Sequence, residues 1–192
     1  MKCLLCENYS LTQHICKRCQ EQFLRPSLYK RKLENGIEVF SFYRYKDIKS
    51  LLFTKHTDIG FHIYRLLAKL SFTEFAQEFS WENRVTSIAI DDNIKSGYSH
   101  TALLNKALKS KNIKPLFNKL RAQNTLSYSG KSRAFRQANP RNFTLQSFKE
   151  KEVIVVDDII TTGTTLREAT NKLTQEGKEI LFCLTLSDVS KK

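Results

Sequence analysis

Val153-Ile-Val-Val-Asp-Asp-Ile-Ile-Thr-Thr-Gly-Thr-Thr165 is the passage from which the rest of this sequence is read. Val153 to Val156 form a continuous apolar run, the pattern of a parallel strand buried on both faces of a sheet. Asp157 and Asp158 close the run at its carboxyl end, where open α/β sheets bind ligands. A short loop of hydroxyl residues with one glycine then leads into a helix, with Leu166, Ala169 and Leu173 on one side and Gly177 at its stop. Such a loop presents backbone N–H groups and the positive end of a helix dipole to an anion. Gly163 lets the backbone approach a phosphate closely, and Thr161, Thr162, Thr164 and Thr165 add hydroxyl donors. Thr165-Leu-Arg-Glu168 also fits a capping box, which gives Thr165 a second use at the helix start. The two carboxylates suit ribose hydroxyls, to which they are acceptors. Strand and loop together therefore suit a sugar held by its diol and by its 5′-phosphate. Walker A and G-x-G-x-x-G patterns are absent.

Working outward, residues 180–186 give a further strand and Val85–Ile90 another, ending in Asp91-Asp92. Residues 37–43 are rich in β-branched and aromatic side chains and predict a strand. Ile48, Leu51 and Leu52 start one helix; Ile63, Leu66, Leu67 and Leu70 mark a second at helical spacing. Leu103, Leu104, Ala107 and Leu108 predict a third, stopping before Pro115. Residues 118–149 are polar and turn-rich with no sustained period, and so are expected to be irregular and functional or mobile. Strand, helix, strand, repeated, predicts an α/β parallel sheet flanked by helices.

Four of the five cysteines lie in the first 19 residues, as the C-x-x-C pairs Cys3/Cys6 and Cys16/Cys19. Two such knuckles can close a tetrahedral four-thiolate site, so a structural Zn2+ is expected there. His14 stands beside the second pair as an alternative ligand, though a solvated loop histidine suits it better. Cys183 lies alone in an apolar strand and reads as a core thiol. The expected organisation is a knuckle and linker over residues 1–35, followed by the α/β domain over 36–192. No run is long and apolar enough to span a membrane, and there is no signal-peptide h-region, which predicts a cytoplasmic protein.

The 192-residue chain carries 32 Lys and Arg against 19 Asp and Glu, a net charge of +13. The excess is localised. Between Asn93 and Lys149 there are twelve basic residues and no acid, which leaves 20 basic against 19 acidic residues elsewhere. Lys119, Arg121, Lys131, Arg133, Arg136 and Arg141 lie in this stretch, interleaved with Tyr98, Phe117, Tyr128, Phe135, Phe143 and Phe148. Phosphates meeting Lys and Arg, with bases stacked on rings, make this composition suited to single-stranded nucleic acid. It would also draw a pyrophosphate substrate, and a solvated basic surface over core phenylalanines is the plainer alternative.

At residues 153–165 the sequence resembles the phosphoribosyltransferase superfamily, whose PRPP-binding motif has this acid-acid, Thr-Thr-Gly-Thr-Thr form. The resemblance implies that Asp157 and Asp158 meet the ribose hydroxyls and that Thr161, Thr162, Gly163, Thr164 and Thr165 hold the 5′-phosphate. It implies Mg2+ riding on PRPP oxygens. The whole chain resembles the ComF/ComFC competence proteins, which join a four-cysteine zinc knuckle to a type I phosphoribosyltransferase-like domain. That match extends to Gln123-x-x-Leu126, Arg133 and Asn139. Ala89-Ile-Asp-Asp92 and residues 93–100 stand where that family has P-V-P and R-x-R-x-R-G-F-N-Q runs, and the pyrophosphate loop is expected near residues 91–95. The function implied is uptake or cytoplasmic handling of single-stranded DNA in natural transformation, with other DNA-uptake or DNA-processing proteins as partners and peripheral association at the inner membrane through them. An active phosphoribosyltransferase of nucleotide metabolism and a PRPP-responsive regulator are the alternatives. The residues single out no catalytic group.

Overall fold

The computed structural model describes residues 1–10, 14–91, 97–124, 126 and 133–190. A seven-stranded sheet runs through the molecule in the order β1-β2-β7-β6-β3-β4-β5. Its strands are β1 (Tyr29–Lys32), β2 (Glu38–Arg44), β3 (Val85–Asp91), β4 (Ile113–Ala122), β5 (Phe143–Leu145), β6 (Glu152–Ile160) and β7 (Glu179–Asp188). From β2 to β4 every neighbouring pair is parallel, while β1 and β5 close the two edges antiparallel. The expected α/β sheet is therefore present, with antiparallel edges.

The helices are α1 (Lys17–Phe23), α2 (Tyr45–Leu52), α3 (Asp58–Ala68), α4 (Glu74–Glu78), α5 (His100–Ala107), α6 (Arg133–Ala138) and α7 (Thr164–Gln175). Ile154 and Val156 of β6 pack into one apolar cluster with Tyr64 and Leu67 of α3 and Leu104 of α5. Val153 and Val155 pack into the other with Leu166, Ala169 and Leu173 of α7. Alternation along the strand divides its side chains between the two layers, and burial on both sides explains the unbroken apolar run.

The described part of residues 118–149 departs from the irregular stretch expected. β4 runs through Pro115 to Ala122, β5 pairs with its last three residues, and α6 lies between them. Pro115 is tolerated because β5 reaches only residues 120–122, so this half of β4 has β3 as its partner and an open second edge. Asn118, at φ +55°, accompanies a register shift opposite Ile88 to Ile90, a local irregularity that hides strand periodicity from the sequence.

The cysteine-bearing end packs into the main core. Cys3, Ile15, Cys19 and Leu24 belong to the same buried cluster as Ile63, Tyr64 and Phe72. Residue 35, the expected boundary, falls in the turn between β1 and β2, where Gly36 has φ +84°.

Candidate functional site

The carboxyl end of β6 carries the two acids, and its neighbours decide their chemistry. Asp158 lies on the side of Val156, facing α3 and α5. Its Oδ2 is 3.2 Å from Lys55 Nζ and 3.3 Å from His100 Nε2, and it accepts a hydrogen bond from the Tyr64 hydroxyl at 3.5 Å. Asp157 falls on the other face, with Val155 and Cys183, and stands in register with Thr185. Its Oδ1 accepts the Asp158 N–H at 2.8 Å.

The sequence places the two acids at the carboxyl end of the strand. The strand instead runs on to Ile160, and Asp158 is only 8% exposed. Burial pushes its carboxyl up, but the Lys55 and His100 charges, with hydrogen bonds from Lys55 and the Ile159 N–H, hold it at about 2. Asp157 moves the opposite way, well above the usual carboxylate range, through burial and then the neighbouring Asp158 charge. The surroundings thus shift the two neighbouring carboxyls in opposite directions.

After Ile160 the chain turns through residues 161–163 into α7. Gly163 has φ +81°, and a Cβ there would meet Leu33 Cδ2 at 2.8 Å and Arg31 Nη2 at 3.4 Å. Glycine is required at this point both for the left-handed conformation and for the close approach of β1 and its turn. Thr162 and Thr164 share a hydroxyl hydrogen bond at 3.0 Å, and Thr164 N donates to Thr162 Oγ1 at 3.4 Å. Thr164 is buried, Thr161 and Thr165 are half-buried and Thr162 is exposed. The five loop residues named from the sequence thus stand together directly after the acids, at the start of a twelve-residue helix.

The capping box does not form. Gly163 is the N-cap and Thr165 lies inside the helix, while Glu168 Oε2 accepts the backbone N–H of Arg141 at 2.7 Å. The glycine turn begins the helix two residues earlier than the box would place it.

Arg31 braces the loop, a contact that sequence reading missed. Its Nη1 donates to Thr161 O at 3.1 Å, Asp188 Oδ1 at 3.0 Å and Ser190 Oγ at 3.2 Å. Asp188 is 1% exposed, and its Oδ2 has no hydrogen-bond partner among the described residues. The Lys30-Arg31-Lys32 run reads as surface charge in sequence. Alternation along β1 turns Arg31 inward while Lys30 and Lys32 face outward. Arg167, in the first turn of α7, pairs with Glu34 of the same hairpin.

The four cysteine sulfurs lie within 4.8 Å of one another, with Cys6 and Cys16 Sγ 3.7 Å apart. Zn–S bonds of about 2.3 Å in a tetrahedron place sulfurs about 3.8 Å apart, so the residues fit the metal. The Cys16 N–H donates to Cys3 Sγ at 3.3 Å, the kind of contact that stabilises a thiolate ligand. All five cysteines are free of disulfides, and Cys183 is buried far along the chain in β7. His14 is half-buried, with its ring 4.9 Å from that of His62 on α3.

The basic segment is only partly described. Lys131 lies outside the described residues, as do residues 92–95 of the pyrophosphate loop expected near residues 91–95, and Arg133 and Arg136 fall in α6. Arg121 and Phe117 are exposed on β4, and Lys119 Nζ donates to Ser147 O at 2.9 Å. Arg141 is turned inward: 8% exposed, its Nη1 donates to the carbonyls of Asn124 and Leu126 at 3.4 Å each. A polyanion at that guanidinium would have to displace both carbonyls. No helix among the described residues is long and apolar enough to cross a membrane.

The PRTase-CE family model matches residues 17–190 of this chain. No curated protein matches it significantly. Among solved structures, a hypoxanthine phosphoribosyltransferase from Staphylococcus aureus is 19% identical with a TM-score of 0.40, covering 65% of this chain and 62% of that one. An orotate phosphoribosyltransferase from Mycobacterium tuberculosis H37Rv is 16% identical with a TM-score of 0.43, covering 89% and 82% respectively. A hypoxanthine phosphoribosyltransferase from Trypanosoma cruzi is 17% identical with a TM-score of 0.42, covering 65% and 67%. The chain thus spans under two thirds of the length of the Staphylococcus aureus protein.

Proposed function

The chain belongs to the PRTase-CE family, and we propose that it binds PRPP with Mg2+ and, from its sequence resemblance to the ComF/ComFC proteins, that it assists the uptake or cytoplasmic handling of single-stranded DNA. The family match and the four-cysteine cluster agree with the resemblance to ComF/ComFC proteins read from the sequence. One observation carries the PRPP part: Asp157 and Asp158 end at the same point from which the 161–165 loop turns through Gly163 into α7. In this reading the acids accept the ribose hydroxyls and the loop N–H groups and threonines hold the 5′-phosphate. Asp158 is already engaged by Lys55 and His100, which favours Mg2+ carried by the oxygens of PRPP over Mg2+ held by the protein alone.

The four cysteines hold a structural Zn2+ in this proposal, in a knuckle with linker (1–35) that precedes the phosphoribosyltransferase-like domain (36–192) and packs with it as one core. Single-stranded DNA is placed on the acid-free segment, along exposed β4 with Phe117 and Arg121, and through Lys119, Lys131, Arg133 and Arg136. DNA-processing proteins, including any that bring the protein to the inner membrane, complete the proposed partners. Phosphoribosyl transfer in nucleotide metabolism is the second reading, favoured by two adjacent carboxyls whose surroundings shift them in opposite directions.

The test is calorimetric titration with PRPP and Mg2+, with and without a single-stranded oligonucleotide, followed by an assay for released pyrophosphate. Saturable PRPP binding without pyrophosphate release supports the DNA-handling reading. Release with a nucleobase supports the transferase. Absence of PRPP binding overturns both.

A further inference from the structure

A row of aromatic rings crosses the sheet toward the amino ends of its strands, at the other end of β6 from the paired acids. Phe40 of β2 meets Phe182 of β7 edge-on, with ring centres 5.6 Å apart. Phe182 in turn meets Phe75 of α4 and Phe79 just beyond it, at 6.0 Å each. Trp81 lies nearly parallel to Phe79, with 12° between planes and 6.3 Å between centres, and is 44% exposed. The phenylalanines of the row are half-buried, so it rests on the core with one side and shows the other to solvent. A bulge in β7 contributes to this: Val153 pairs with Ile180 and Ile154 with Phe182, so that Leu181 and Phe182 both reach the layer of α4.

The rim of the row is acidic. Glu38, Glu152 and Glu179 open β2, β6 and β7. Val39, Val153 and Ile180, one residue further on in each strand, face the α7 layer, so alternation puts the three acids on the face that carries the rings. Glu78 and Glu82 are exposed and flank Phe79 and Trp81 in the chain. Glu152 and Glu179 are register partners on adjacent strands, and like charges set opposite each other cost stability. Glu152 Oε1 accepts the Trp81 Nε1–H at 2.9 Å. Among the described residues, Glu78, Glu82, Glu152 and Glu179 make no ion pair, in a chain whose net charge is +13.

Rings and acids together decide what this face accepts. Rings alone would take a nucleobase, but the carboxylates repel the phosphates that accompany one. A guanidinium satisfies both parts, because it stacks on aromatic faces and donates to carboxylates. The chain itself shows the combination at the edge of the row, where Lys30 Nζ stands 5.4 Å from the centre of the Phe40 ring and 2.7 Å from Glu38 Oε1.

We propose that this face docks an arginine-rich segment of a partner protein, its guanidinium groups stacked on Trp81 and Phe79 and paired with Glu152 and Glu179. The surface is separate from the PRPP reading above and does not rest on it.

Trp81 is the single tryptophan of the chain, so its emission reports on this surface alone. The test follows that emission in the full zinc-loaded chain as hexa-arginine, hexalysine or hexaglutamate is added, at low and at physiological salt. A chain of charge +13 repels a cationic peptide as a whole, so binding has to be local. Saturable change with hexa-arginine is expected, several-fold weaker with hexalysine and absent with hexaglutamate. Glu152→Gln combined with Glu179→Gln should weaken hexa-arginine roughly tenfold. Its melting temperature should hold or rise, because the like-charge pair is gone and the amide oxygen at 152 still accepts the Trp81 N–H. Hexalysine binding as tightly as hexa-arginine, or wild-type affinity in the double variant, overturns the proposal. Sedimentation showing self-association that the double variant loses would give the face to a second copy of the chain and overturn it as well.

Discussion

Asp157 and Asp158 are neighbours in the chain and face opposite layers of the sheet, yet the Asp158 N–H donates to Asp157 Oδ1 at 2.8 Å. One acid is paired with Lys55 and His100, and the other sits beside it among the residues packed under α7. Their carboxyls are driven apart, Asp158 down to about 2 and Asp157 well up.

This separation predicts opposite effects of two similar substitutions. Asp157→Asn keeps an oxygen for the Asp158 N–H and removes a group that is costly to ionise, so stability at neutral pH should hold or rise. The sign follows from linkage: an acid whose folded pKa is raised contributes stability at low pH that is lost as pH climbs toward that pKa. The advantage of Asp157→Asn should therefore grow with pH. Asp158 is the depressed case, contributing above about pH 4 and losing that contribution as pH falls toward 2. Asp158→Asn should cost roughly 2 kcal/mol at pH 7, less than a fully buried pair because Lys55 is 27% exposed. Urea unfolding of both variants between pH 3 and 8 checks the pattern, and parallel curves would refute it.

Removal of zinc should be felt beyond the knuckle. Cys3 and Cys19 share a buried cluster with Ile63 and Tyr64 of α3, so the metal-binding end and the central layer are packed as one. Purified protein should contain about one Zn2+ per chain. Chelation or Cys3→Ser should lower the melting temperature of the whole protein in a single transition, while Cys183→Ala should leave the metal content unchanged. A knuckle that melts separately would contradict this.

Arg31→Ala should loosen the phosphate loop. It removes the donor to Thr161 O and the charge opposite buried Asp188, at a cost of about 2 kcal/mol. PRPP affinity should fall along with stability. Arg31→Lys should recover stability in part, since an ammonium restores the charge without the planar fork. Thermal melts alongside PRPP titration separate the two effects.

DNA binding should be strongly salt-dependent and show little sequence preference. A track neutralising Z phosphates gives a slope of about −0.7Z in log K against log salt for a single strand. Replacing Lys131, Arg133 and Arg136 with Ala should therefore shallow the slope by about two units. Arg141→Ala should instead cost stability, because its guanidinium is buried against the Asn124 and Leu126 carbonyls. A wild-type slope in the triple variant would move the contact elsewhere, with the zinc knuckle and Lys17, Arg18, Lys30 and Lys32 as the next surface to test.

The sequence by itself determined the elements whose stability is local or periodic. The apolar run 153–156, closed by two acids and a glycine turn, has the pattern of a strand covered on both faces, and the spacing of Ile63, Leu66 and Leu67 has that of one face of a helix. Paired C-x-x-C knuckles and the glycine between hydroxyls likewise announce their geometry through residue type. Tertiary structure decided the rest, because the contacts involved join residues with no sequence relation. β4 takes its form from β3 and β5 despite Pro115, and no local period records that pairing. Lys55, Tyr64 and His100 reach Asp158 across 103, 94 and 58 residues of chain, and Arg31 reaches Thr161 across 130. A lysine or histidine in a sequence carries no sign of its partner. Whether it is surface charge or part of a binding site is settled only when folding brings a buried carboxylate beside it, where the loss of water makes the pairing matter.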